Sequence, residues 1–167
     1  AATAREGKLM VRKNQYTSRK NLSILLNTRQ RPGKSGHMDG DGDLENCIRF
    51  CAYLFSAAAE EDTPFRFLCN GTDGDSKKSV ATAESWGTAL ALEQCRTLAR
   101  LLADQTKPLD VFLQEDVPPL SSAEWILVST YIDEEIKAFA REKAKSGARV
   151  SIFVKGLLLP GDFEEDA

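Results

Sequence analysis

Residues 21–47 read "NLSILLNTRQRPGKSGHMDGDGDLENC": an apolar run, then two stretches that look like small-ligand loops. The run Leu22–Leu26 is too continuous for a half-exposed strand and predicts one buried on both faces, as in a parallel sheet. "PGKS" resembles a phosphate loop. The pattern GxxxxGK[ST], however, wants its first glycine where Thr28 stands, and Pro32 removes an N–H that phosphate would need. In "DGDGD", Asp39, Asp41 and Asp43 fit the first half of a calcium loop, but Leu44 and Phe50 replace its glycine and closing glutamate. A flexible loop ending in a helix cap at Asp43 explains these acids more simply.

A third ion chemistry belongs to strands of this type. A strand ending in DxSxS offers a carboxylate and two hydroxyls to a divalent cation. Here Asn27, Arg29 and Arg31 occupy those three positions. Two fixed guanidinium charges within several ångströms of a divalent ion repel it. The segment reads as a loop at a binding edge from which the ion chemistry has been removed.

The 167 residues suit one domain, 1–160, followed by an acidic flexible tail, 161–167. Apolar residues make up 42% and charged residues 28%, and the net charge of −3 argues against nucleic acid as a partner. Charge is uneven. Residues 1–36 carry nine Lys/Arg and one acid, a local +8 against −11 for the remainder, which fits a solvated strand edge or proximity to anionic lipid. Cys47, Cys51, Cys69 and Cys95 form no CxxC pair, and His37 is the only histidine. Buried reduced thiols are expected, as in a cytosolic protein, rather than a zinc site. No apolar run approaches the ~20 residues that span a bilayer.

Strands are expected at Lys8–Tyr16, Asn21–Asn27, Pro64–Asn70, "LDVFLQ" (Leu109–Gln114), Trp125–Thr130 and Arg149–Lys155. The 3.6-residue period predicts helices from Leu44, over Thr88–Asp104 (Leu92, Cys95, Leu98, Ala99 and Leu102 inward) and over Asp133–Ser146 (Ile136, Phe139 and Ala140 inward). This alternation means an α/β fold: a mostly parallel, Rossmann-type sheet with helices on both faces. Such sheets bind at the loops after the strands' carboxyl ends, here Asn27–Asp43, Asn70–Gly87 and Thr130–Asp133. Those loops bring Arg29, Arg31, Lys34, Asp73 and Asp75 together as candidate partner-binding residues.

The order of elements resembles a von Willebrand factor A-like domain. It is most similar to a bacterial family of unknown function that is usually encoded beside MoxR-type AAA+ ATPases. "AATAREGKLMV" (Ala1–Val11) resembles that family's W-x-A-[ST]-A-R-x-G-x-L-x-V stretch from just after its Trp. "DLENCIRFCAYLFSAA" resembles its first helix, and "WILVST…DEEI…GARVSIFVKG" its last strand–helix–strand. Asn27, Arg29 and Arg31 stand at the first metal-ligand positions of the parent fold, and Tyr131 where a further Asp is usual. The resemblance therefore implies a degenerate metal-ion-dependent adhesion motif in a metal-independent protein-interaction module. It also implies a MoxR-type AAA+ ATPase as partner in protein assembly or maturation. Anchoring would come from membrane helices upstream of Ala1, at the cytoplasmic face of the membrane.

No cofactor or metal site and no catalytic residues are expected. No Ser–His–Asp set or G-x-S-x-G elbow is present, and His37 lies in a Gly-rich stretch. Two other readings stay open: an adhesion-type domain that binds metal through Asp39, Asp41, Asp73 or Asp75, and a hydrolase acting from the same loops.

Overall fold

The computed structural model describes residues 20–30 and 40–164. The expected strand Lys8–Tyr16 lies outside them, as do Arg31, Lys34, His37 and Asp39. Strand β1 (Leu22–Asn27) is buried at all six positions and hydrogen-bonds on both sides. It pairs in parallel with β2 (Phe65–Asp73) and with β5 (Glu124–Ser129). β5 pairs in parallel with β6 (Arg149–Val154). Short antiparallel strands finish the edges: β3 (Ser79–Ala81) and β4 (Leu101–Leu102) on β2, and β7 (Leu157–Pro160) on β6. The order is β3-β2-β1-β5-β6-β7, with β4 also on β2. The chain leaves β1 for one neighbour and later returns for the other, so the topological switch point lies between β1 and β5.

The period-2 alternation of β1 divides the core in two. Leu22, Ile24 and Leu26 join Phe65, Phe67 and Cys69 beneath helix α1 (Gly40–Glu60) and helix α2 (Thr88–Arg100). Phe55 of α1 meets Phe65 at 5.5 Å and Phe67 edge-on at 5.0 Å. Leu25 joins Leu68, Trp125 and Leu127 on the other face, beneath helices α3 (Leu109–Glu115) and α4 (Glu134–Lys145). Cys47, Cys51 and Cys69 are buried, unbridged thiols. Burial pushes Cys47 up to about 11, Cys69 up to about 12, and Cys51 well above the ordinary thiol range. All three are therefore protonated apolar filler at neutral pH.

Several expectations need correction. "LDVFLQ" is helix α3, not a strand. Pro108 precedes its first turn and Asp110 sits within it, and Leu109 and Phe112, three apart, are its buried residues. Helix α1 starts at Gly40 rather than Leu44, so residues 40–43, expected to end the loop, are helical backbone. Acids in a first turn are favoured by the helix dipole. In α2, which ends at Arg100, Leu92 is 53% exposed, and the buried positions are Ala91, Gln94, Thr97 and Leu98. β2 runs on through Gly71–Asp73 and returns through β3, so the expected loop 70–87 is partly a hairpin. At the far edge Lys155 and Gly156, both with positive φ, turn β6 into β7. In the acidic segment 161–164, the Gly161 N–H bonds to the Val150 carbonyl and Phe163 packs against the second core. Residues 165–167 lie outside the described part.

Helix α4 matches its expectation closely. Asp133 accepts the Ile136 N–H at 2.9 Å as N-cap, and Gly147 at φ 92° follows the end of the helix. The two apolar positions Phe67, fully buried, and Leu92, 53% exposed, make opposite claims on stability. Phe67→Ala is expected to cost about 3–5 kcal/mol, whereas Leu92→Ala, at an exposed position, stays within about 0.5 kcal/mol. Urea midpoints of the two variants check this.

Candidate functional site

Register places three polar side chains on one face at the switch point. Asn27 is the in-register partner of Ser129, and Asn70 follows Cys69, the partner of Leu26. All three are at most 1% exposed, and Thr28 beside them is 3% exposed. Buried polar groups must pair, and these pair with one another and with nearby backbone. The Asn70 amide nitrogen donates to Asn27 Oδ1 (2.8 Å) and to the Lys107 carbonyl (3.1 Å). Asn70 Oδ1 accepts the Thr28 N–H (2.9 Å) and the Thr28 hydroxyl (3.3 Å). Asn27 Oδ1 also accepts the Arg29 N–H (3.1 Å), and Asn27 Nδ2 donates to Ser129 Oγ (3.3 Å). Ser129 Oγ in turn accepts the Tyr131 N–H (3.3 Å).

The orientation of both amides is fixed by partners of one kind only. The N–H groups of Thr28 and Arg29 can only donate, and the Lys107 carbonyl can only accept. Asn70 thus uses its full hydrogen-bonding capacity. The single Thr28 hydroxyl proton is shared between Asn70 Oδ1 and Thr106 Oγ1 (3.0 Å), and the Thr106 hydroxyl donates to the Ala103 carbonyl (2.7 Å). Gly71 permits the close approach: a Cβ there would lie 2.9 Å from Thr28 Oγ1.

Of the candidate residues, Arg29 emerges exposed directly after this network. Tyr131 turns into the second core at 8% exposure, so no ligand-bearing side chain stands at its position. Asp73 and Asp75 are held by Arg100: Nε lies 3.2 Å from Asp73 Oδ1 and 3.2 Å from Asp75 Oδ2. Hydrogen bonding from Arg100 holds the Asp73 carboxyl below the usual carboxylate range. The candidate set is therefore split. Arg29 is at the end of β1, and the two acids form a separate cluster with α2. Among the described residues no group of three His, Cys, Asp or Glu is placed to hold a metal ion. The residues that sequence reasoning missed are Asn70, Thr28, Thr106 and Ser129. Their only signal is that polar residues end three buried strands or begin the loops beyond them.

No protein-family model matches the chain, and no curated protein matches it.

Two outcomes follow from this geometry. Asn70→Ala orphans at least one buried donor or acceptor and is expected to cost about 2–3 kcal/mol, against about 0.5 kcal/mol or less for Arg29→Ala, both read from urea unfolding. The Asp73 carboxyl has a folded pKa below its unfolded value of about 3.9, so its contribution is complete above that value and is lost as pH falls through the folded pKa. Acidification from about pH 5 to 3 should therefore destabilise the native protein more than an Arg100→Met variant, in urea midpoints measured across that range.

Proposed function

We propose that this chain is a metal-independent protein-interaction domain of von Willebrand A-like type, with a degenerate adhesion motif at the carboxyl edge of its sheet. The observation that carries the reading is the Asn27–Asn70–Ser129 network. The groups at the end of β1 are satisfied by one another, so an ion would have to break bonds already made. Arg29 follows at once, exposed, with its backbone pinned by Asn27. Arg31 and Lys34 add positive charge further along the same segment. Arginine suits bidentate recognition of carboxylates at protein interfaces. In this reading the guanidinium groups meet the partner's acidic side chain directly, where a metal would otherwise bridge.

The sequence resemblance extends the proposal. The partner is a MoxR-type AAA+ ATPase acting in assembly or maturation of other proteins. The domain works at the cytoplasmic face of the membrane, anchored by segments upstream of Ala1. No helix among the described residues is long and apolar enough to cross a membrane, so any such anchor lies elsewhere.

The test is binding to a purified MoxR-type ATPase with and without EDTA. Saturable binding indifferent to EDTA, and weakened about tenfold or more by Arg29→Glu with Arg31→Glu, is expected. Binding that EDTA abolishes would contradict the metal-independent reading, and binding unchanged by the double reversal would move the interface off this edge.

A further inference from the structure

A groove of about 470 Å³ opens between α3 and α4 and shares no residue with the Asn27 network. Its base is apolar: Leu109, Trp125 and Phe139 are each at most 6% exposed, and Leu113 is half-buried. Its walls carry three exposed carboxylates, Asp110 on α3 and Glu135 and Glu142 on α4. Glu135 accepts the Asp110 N–H at 3.0 Å. None of the three forms an ion pair among the described residues. Lys143 is the one cation on the described lining, and its ammonium lies over the ring of Trp125 (5.0 Å) and of Phe139 (5.6 Å) instead. The base thus already accepts an ammonium on its ring faces.

Spacing narrows the class of ligand. Glu135 and Glu142 are seven residues apart on one stripe of α4, with Ala138 and Phe139 between them. Seven residues of helix rise roughly 10 Å, which an extended polypeptide of polyproline II type covers in about three residues, with its first and fourth side chains on the same face. We infer that the groove between α3 and α4 is a second docking surface, which takes an extended partner segment with two basic residues three apart and apolar residues between them. The cations meet Glu135, Glu142 and Asp110, and the apolar side chains cover Trp125, Leu113 and Phe139. Acidic walls beside an apolar base disfavour acidic and purely polar segments. The inference stands apart from the role of Arg29, since the two surfaces have no residue in common.

The experiment uses three fluorescently labelled peptides containing Lys-Leu-Leu-Lys, Glu-Leu-Leu-Glu and Lys-Ser-Ser-Lys, titrated by anisotropy with the whole chain at low salt. Saturable binding of the first, at least about tenfold tighter than either of the others, is expected. Asp110→Lys with Glu142→Lys should weaken it by a similar factor while leaving the circular dichroism spectrum unchanged. Arg29→Glu should leave it unaltered. Amide NMR shifts on binding should map to α3 and α4. No saturable binding of Lys-Leu-Leu-Lys, equal binding of Lys-Ser-Ser-Lys, or shifts confined to the ends of β1 and β5 would each overturn the assignment. If the double charge variant fails to fold, Leu113→Ser serves instead, with the same loss expected.

Discussion

The hydrogen bond from the Asn70 amide to Asn27 Oδ1 joins β2 to β1 beside the switch point, and most features of the site follow from it. It holds two amides edge to edge below the loops. Through Ser129 it reaches β5, and through Thr28 and Thr106 it reaches the segment leading into α3. A strand end in an open α/β sheet is ordinarily where polar groups are left free for a ligand. Here they are consumed by one another. In a low-dielectric interior such a network is strong when complete and costly when any member is missing.

Around this polar junction the two cores supply the bulk of the burial. The aromatic cluster of Phe55, Phe65 and Phe67 lies under α1, and Trp125 with Phe139 at 5.4 Å lies under α4. A second polar column, on the face shared with Asn27, runs at the amino ends of the strands. Arg66 is 5% exposed there and donates to Ser122 Oγ at 3.1 Å, and Ser122 shares a hydroxyl hydrogen bond with Ser23. Burial lowers the Arg66 pKa, against the opposing influence of Glu84. The middle of that face is apolar and both ends are polar, which fixes the register of β1, β2 and β5. A one-residue slip would bring Asn27 and Ser23 into the apolar face beneath α1.

What the sequence discloses and what it conceals divide along physical lines. β1 and β5 were legible because "LSILL" and "WILVS" are near-continuous, β-branched or leucine-rich apolar runs bounded by polar residues, and α4 because it has a helical period, an Asp cap and a closing glycine. "LDVFLQ" was not, because six apolar-rich residues satisfy either period and only packing of Leu109 and Phe112 decides. The edge strands β3, β4 and β7 have two to four residues each and leave too little pattern to read. Asn27, Arg29 and Tyr131 were identified as departures from a metal-site pattern. Their bonding was hidden, because the partners Asn70 and Ser129 are 43 and 102 residues away and only the register joins them. Asp73 and Asp75 looked free for a partner, since nothing local reveals that Arg100 holds them.

The central claim is that the strand-end polar groups bind each other in place of an ion. The most direct measurement is NMR of the Asn27 and Asn70 side-chain amides during titration with millimolar Mn²⁺. Slowly exchanging amide protons whose signals stay sharp are expected, with any paramagnetic broadening confined to surface carboxylates. Selective broadening of Asn27 and Ser129, reversed by EDTA, would contradict it.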